Sequence, residues 1–276
     1  MKGKYTLQLI EGDHKEKGVY NSATWRSEAE AHFQSALELR ELSSLAKDDV
    51  NRARAENRKL DREILEIMKR RRNFAKSSLL LLGYALELSL KSGVVSLFRD
   101  IPRKYLKDAL KTRFSHRHIL IAKFIELPLS AEEETLLDQV ADLIVADARY
   151  PITPSGAHSY IKEYNRLGQT IMDNHLFDSG IKLYKKIIDH TKTLNGTEES
   201  VLTHGWFEIG SDGAMACRLG GGVSNRILVA YSTEQKSEGE NNALKLWKLI
   251  ENNAKDNFVL SMLIHEGIDS IKIFEL

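Results

Sequence analysis

Apolar and polar positions along the chain fall into three successive patterns. Residues 1–23 hold one short alternation, Tyr5, Leu7 and Leu9, followed by polar turn residues, which predicts a weak strand and a loop. From Thr24 the apolar side chains recur at three- and four-residue steps, through Trp25, Ala29, Ala36, Leu37, Leu39, Leu42 and Leu45, with Ser22 or Thr24 as caps. That spacing predicts a helix. Residues 47–63, KDDVNRARAENRKLDRE, offer few apolar side chains and predict a solvated helix or a mobile connector. A second helix follows, with Leu60, Ile64, Leu65, Ile67 and Met68 on one side, and it runs through Lys69-Arg70-Arg71-Arg72 into residues 77–91, SSLLLLGYALELSLK. This last stretch is apolar on nearly every face, the mark of a helix buried in a bundle or a membrane. It carries Glu87 and Lys91 four residues apart, on one face and with the acid first, the favourable order. Buried charges are costly unless paired, so the two are expected to form a structural pair.

Further helices are predicted at 103–112, 116–127 and 131–148, the last opened by a capping box at Ser130 and Glu133 and closed before Pro151. A long amphipathic stretch spans 156–193. After Leu194-Asn195-Gly196 the character changes to runs suited to strands, 201–209, 214–219, 226–231, 258–264 and 268–274, with one helix at 240–254. The expected fold class is α+β: an up-and-down helical bundle over 24–194, then a small mixed α/β unit over 195–276, with 1–23 as an N-terminal strand and loop.

Composition narrows this little. The chain has 276 residues, 42% apolar and 29% charged, and its net charge of +1 gives no global field for nucleic acid. The single Cys217 excludes an internal disulfide framework and suits a reducing compartment. The start lacks a signal-peptide core, and the longest apolar run, 79–86, is short of a membrane span. A cytoplasmic protein without membrane association is expected. Gly220-Gly221-Gly222 lacks the Lys-Ser/Thr ending of a phosphate loop and reads as a hairpin turn, while His265-Glu266 lacks the second histidine of a zinc helix. No metal and no cofactor are expected.

The local charge feature lies between Asn51 and Lys76, where Arg52, Arg54, Arg58, Lys69, Arg70, Arg71 and Arg72 outnumber Glu56, Asp61, Glu63 and Glu66. A basic stripe of this kind tracks a phosphate backbone, with strong salt dependence. Equally, it describes a solvated helix laced with local ion pairs. No aromatic residue falls between Asn51 and Asn73, so base stacking is not expected there.

Four motifs, in order, resemble a known family. They are the early Trp25-containing helix, the central FAKSSLLLLGYALELSLKSG at 74–93, SHRHIL at 115–120 opening a helix, and LSAEEETLLDQVADLIVADARYP at 129–151, which ends in Arg-Tyr-Pro. Together they resemble the HEPN-domain family over about 24–190. The resemblance implies a bundle of four or five helices, commonly a side-by-side homodimer. Many members are ribonucleases of toxin–antitoxin, antiviral (phage-defence) or RNA-processing systems, while others bind nucleotides or partner proteins without catalysis. Their site is an Arg followed after four to six residues by His. Arg113-Phe-Ser-His-Arg-His118 has that spacing, though Arg113 precedes the helix start, and Arg149 stands at the Arg-Tyr-Pro position. If the chain is an enzyme, the resemblance implies a metal-independent ribonuclease with His118 as acid/base, Arg113 as phosphate clamp and Arg149 assisting. The competing reading has His116 and His118 capping or packing at a helix start and Arg149 in a structural ion pair. The chain is then a noncatalytic dimerising scaffold that holds a protein partner, encoded nearby, through its C-terminal unit.

Overall fold

Two long antiparallel helices, α1 (Ser22–Ala55) and α2 (Arg62–Leu97), frame the computed structural model, which describes residues 7–10, 18–56, 58, 60–99, 101–147 and 157–276. Each begins on a side-chain cap: Asn21 Oδ1 accepts from Ala23 N at 2.8 Å and Asp61 Oδ1 from Ile64 N at 2.9 Å. Residues 47–55 continue α1, with Val50 and Ala53 buried, so the break expected over 47–63 shrinks to the turn before Arg62. α2 has 36 residues, about 54 Å of helix at 1.5 Å per residue.

The apolar girth of α2 has a direct cause: helices pack on several sides of it. Ala29, Phe33 and Ala36 of α1 share its core with Leu79, Leu82, Leu86 and Leu90, and with Leu183 and Ile187 of α7 (Asn174–Thr193). Gly83 admits a close neighbour, since a Cβ there would stand 2.8 Å from Ile144 Cδ1. α2 is the one described helix long and apolar enough to cross a membrane, yet 72% of its most apolar window is buried inside the fold. It is a core helix.

Shorter elements complete the bundle. α3 (Arg103–Asp108) runs into a π-helical turn, Ala109–Arg113, and is followed by α4 (His118–Phe124). α5 (Ala131–Asp142) opens on the Ser130/Glu133 capping box and ends in a second π-helical turn, Leu143–Asp147. The amphipathic stretch after 156 is two helices, α6 (Ala157–Met172) and α7, broken at Asp173, whose side chain caps the second.

β1 (Leu7–Ile10), β2 (Thr203–Ile209), β3 (Gly213–Leu219), β4 (Arg226–Ala230) and β5 (Lys272–Glu275) form one sheet in the order β1-β2-β3-β4-β5, antiparallel except for the parallel β4–β5 pair. The early alternation thus supplies an edge strand to the C-terminal sheet, Leu7 opposite Ile209. Every residue of β3 and β4 is buried, because both sheet faces are covered. Phe207, Met215, Cys217, Ile227 and Val229 meet α9 (Ala243–Asn253) and α10 (Phe258–Glu266) through Leu246, Ile250, Leu260 and Leu263. Trp206, Ala216, Leu228 and Phe274 belong instead to the core of the bundle. A short helix, α8 (Thr233–Ser237), follows β4.

One predicted strand is corrected. Residues 258–264 are helical, as α10, and not extended. Asn257 Oδ1 caps the segment by accepting from Leu260 N, Leu260 and Leu263 point inward three residues apart, and Gly267 at φ 80 ends it. A short apolar run does not by itself separate strand from helix.

The junction of bundle and sheet is held by an ion pair whose arginine is buried and whose carboxylate is partly so. Glu126, two residues after the end of α4, is the one non-glycine residue with positive φ among the described residues, at 56°. That turn presents its carboxylate to the sheet, where it accepts from Arg226 Nη2 at 2.7 Å, Ser224 N at 2.8 Å and Lys272 Nζ at 2.9 Å. Arg226 is 0% exposed and also donates to Phe124 O at 2.8 Å. Burial pushes the Arg226 guanidinium down, and the Glu126 charge offsets only part of that.

Candidate functional site

The strongest concentration of titratable groups in the bundle centres on Glu87, at the middle of α2. Phe114 and Ile121, both fully buried, anchor the chain on either side of residues 115–118, so this segment is drawn across α2 at the level of Glu87. The carboxylate then holds three nitrogen bases. Lys91 Nζ donates to Oε1 at 2.6 Å, His116 Nδ1 lies 2.9 Å from Oε2, and His118 Nε2 lies 3.4 Å from the same oxygen. Burial pushes the Glu87 carboxyl up, but His118, Lys91 and His116 together outweigh it and hold it at about 2. At neutral pH the group is a carboxylate, so both imidazoles donate to it, which sets the tautomer of each.

The two histidines differ in what they leave outside. The His118 side chain is 1% exposed and its Nδ1 is buried without a hydrogen-bond partner, whereas the His116 side chain is 42% exposed. His116 lies on the rim of a depression of about 500 Å³, with Arg117, Leu120, Asp138 and Asp142 among its walls. An imidazole fixed through Nδ1 by a buried carboxylate, with its other edge open, is the arrangement of a general base.

Arg113 and His118, the pair expected from spacing, receive separate partners. Arg113 Nη1 donates to Glu275 O of β5 at 3.1 Å, and its guanidinium lies over Phe114 and Phe124, 5.5 and 5.8 Å from the ring centroids. His118 faces Glu87 and is closed to any substrate in this arrangement. Arg149 lies outside the described residues. His116 takes the accessible position that spacing had suggested for His118.

The basic stripe also divides. Arg58 pairs with Asp61 at 3.2 Å and Glu63 at 2.7 Å, closing the turn between α1 and α2. Arg72 lies over Tyr164, 3.6 Å from the ring centroid, and Arg71 lines a cleft of about 330 Å³ beside Arg40 and Lys47. Arg52 and Lys69 sit 3.7 and 3.9 Å from Asp49 and Glu66, while Arg54 and Arg70 are exposed. A denser basic run lies from 103 to 117, where Arg103, Lys104, Lys107, Lys111, Arg113 and Arg117 outnumber the segment's single acid, Asp108. It leads directly to His116.

No family model, curated protein or solved structure matches this chain. Among the described residues no group of three or more His, Cys, Asp or Glu side chains is placed to hold a metal ion.

Proposed function

We propose that the chain is a HEPN-like protein that binds and cleaves RNA without a metal, in a bacterial toxin–antitoxin or phage-defence setting. The observation that carries this reading is the 2.9 Å contact between buried Glu87 and half-exposed His116. His116 Nε2 takes the proton of a ribose 2′-hydroxyl. The freed 2′-oxygen attacks the adjacent phosphorus, and the P–O5′ bond breaks to leave a 2′,3′-cyclic phosphate. The departing 5′-oxygen takes its proton from solvent. Arg117, exposed on the same rim, is the cation nearest in sequence to meet charge developing on the phosphate. Asp138 and Asp142 repel a polyanion from the other wall, so the backbone of the RNA follows the basic 103–117 segment.

The test is cleavage of a labelled single-stranded RNA by the full chain in the presence of a chelator. His116→Ala is expected to lower the rate by about 100-fold or more without altering the far-ultraviolet dichroism. Cleavage by His116→Ala at the wild-type rate sinks the assignment.

A second reading, the noncatalytic scaffold that dimerises through its bundle and holds a partner with its C-terminal unit, is favoured by apolar side chains left in solvent. Leu42, Leu45, Leu65 and Met68 are exposed on the α1/α2 hairpin, and Leu244 and Phe258 on the outer helices. This reading expects a dimer by light scattering that the double change Leu45→Asp/Leu65→Asp converts to monomer. An unchanged mass removes the hairpin as its interface.

A further inference from the structure

Two buried arginines face the bundle from adjacent strands, and one of them has no counter-ion among the described residues. Arg218 on β3 and Arg226 on β4 are register partners, 5% and 0% exposed. Arg226 has Glu126 at 2.7 Å. Arg218 is held only through Nη1, which donates to Ser96 O of α2 at 3.2 Å, while its Nε and Nη2 are buried with no hydrogen-bond partner. Two more orphaned atoms share this seam. Ser96 Oγ belongs to the residue whose carbonyl Arg218 holds, and Trp206 Nε1 belongs to the residue diagonal to Arg218 across the β2–β3 pair.

A fold rarely leaves such groups unmatched, and a bound water or ion is one explanation where it does. Water would satisfy the donors but leave the guanidinium charge without a partner. An anion with several acceptor oxygens answers both demands. Burial, then the charges of Arg226 and Arg99, push the Arg218 guanidinium down to about 9, as expected of a cation that lacks its anion.

An entrance lies alongside. His204, the cross-strand neighbour of Arg218, and exposed Arg99 line a depression of about 510 Å³ with Asn195, Thr197, Glu198 and Leu202. Gly221, at φ 72, joins the two places: a Cβ on it would stand 2.8 Å from Arg218 Nη2 and 3.4 Å from Leu202 Cδ1. Glycine there lets the loop lie against the guanidinium, and Leu202 borders both the Gly221 position and the depression.

We propose that this seam between α2, β2 and β3 is a binding site for a phosphate-bearing small molecule. The phosphate is taken by the Nε/Nη2 edge of Arg218 and by Arg99, with Trp206 Nε1 and Ser96 Oγ as further donors, after Leu202 swings aside. The site is separate from His116 and does not depend on the reading given to it.

The test is thermal unfolding and calorimetric titration of the full chain with inorganic phosphate, AMP, adenosine and chloride at one ionic strength. Phosphate and AMP are expected to raise the melting temperature saturably, and adenosine and chloride to leave it unchanged. Tighter binding of AMP identifies a nucleotide as the source, and equal binding identifies the free anion. Arg218→Met is expected to abolish the shift and Arg99→Ala to weaken binding by about tenfold. A shift that chloride reproduces, or one that survives in Arg218→Met, overturns the proposal. Should Arg218→Met fail to fold, unchanged affinity in surface-located Arg99→Ala overturns it equally.

Discussion

Replacing Glu87 by leucine is expected to lower the unfolding free energy by about 3–5 kcal/mol, the usual cost of removing one partner from a buried ion pair. The substitution fits the apolar surroundings of α2, so the loss reports electrostatics and not a cavity. Lys91, His116 and His118 would keep their positions and lose the one carboxylate that all three face. The same group sets an acid dependence. Its pKa in the fold, about 2, lies below the ordinary glutamate value of 4.5, so its contribution is complete above the unfolded value and is lost as pH falls from about 4.5 towards 2. Urea unfolding from pH 7 to pH 2 should therefore show wild type losing stability over that window and Glu87→Leu losing less. The double change Glu87→Leu/Lys91→Leu should recover part of the deficit, because a buried pair is often replaced by apolar residues at little cost. A single variant as stable as wild type at pH 7 would show that the pair is not structural.

The second large effect is expected at the junction. Arg226→Met leaves Glu126 with Lys272 and Ser224 but breaks the buried bond to Phe124 O and the partly buried one to the carboxylate. The loss should be about 3 kcal/mol, towards the lower end for a broken buried pair because Glu126 keeps other partners. Arg226→Lys should rescue little, since one ammonium cannot reproduce the two-point guanidinium contact. Equilibrium unfolding followed by Trp fluorescence reads both changes, Trp206 lying in the same interface. A loss below about 1 kcal/mol for Arg226→Met, the level of an exposed pair, would mean that the junction is held by apolar packing alone.

The frame of the fold was legible where signals were local. The three-and-four spacing of α1, the all-round apolar α2 and the Ser130/Glu133 box each depend on neighbours within a few residues, and each appears as expected. The error at 258–264 was avoidable in principle, because Asn257 before the run and Gly267 after it are helix start and stop signals. The separation of His116 from His118 was not. Glu87 lies 29 and 31 residues before them, and no period along the chain reveals which imidazole turns inward at a helix start. Nor does the sequence alone place Arg218 beneath Gly221, since only the assembled sheet and α2 enclose that guanidinium.

The pairing of Leu7–Ile10 with Thr203–Ile209 also has a consequence for how the molecule is made. On the ribosome the first strand emerges long before its partner, and the bundle helices in between can condense as they appear. The outer strand is therefore set by a contact from Leu7 to Ile209, the kind of long-range closure that slows folding most. Until it forms, the outer edge of β2 stands open to any other extended segment. The N-terminal strand, already made when β2 emerges, acts as the clasp that ends the exposure.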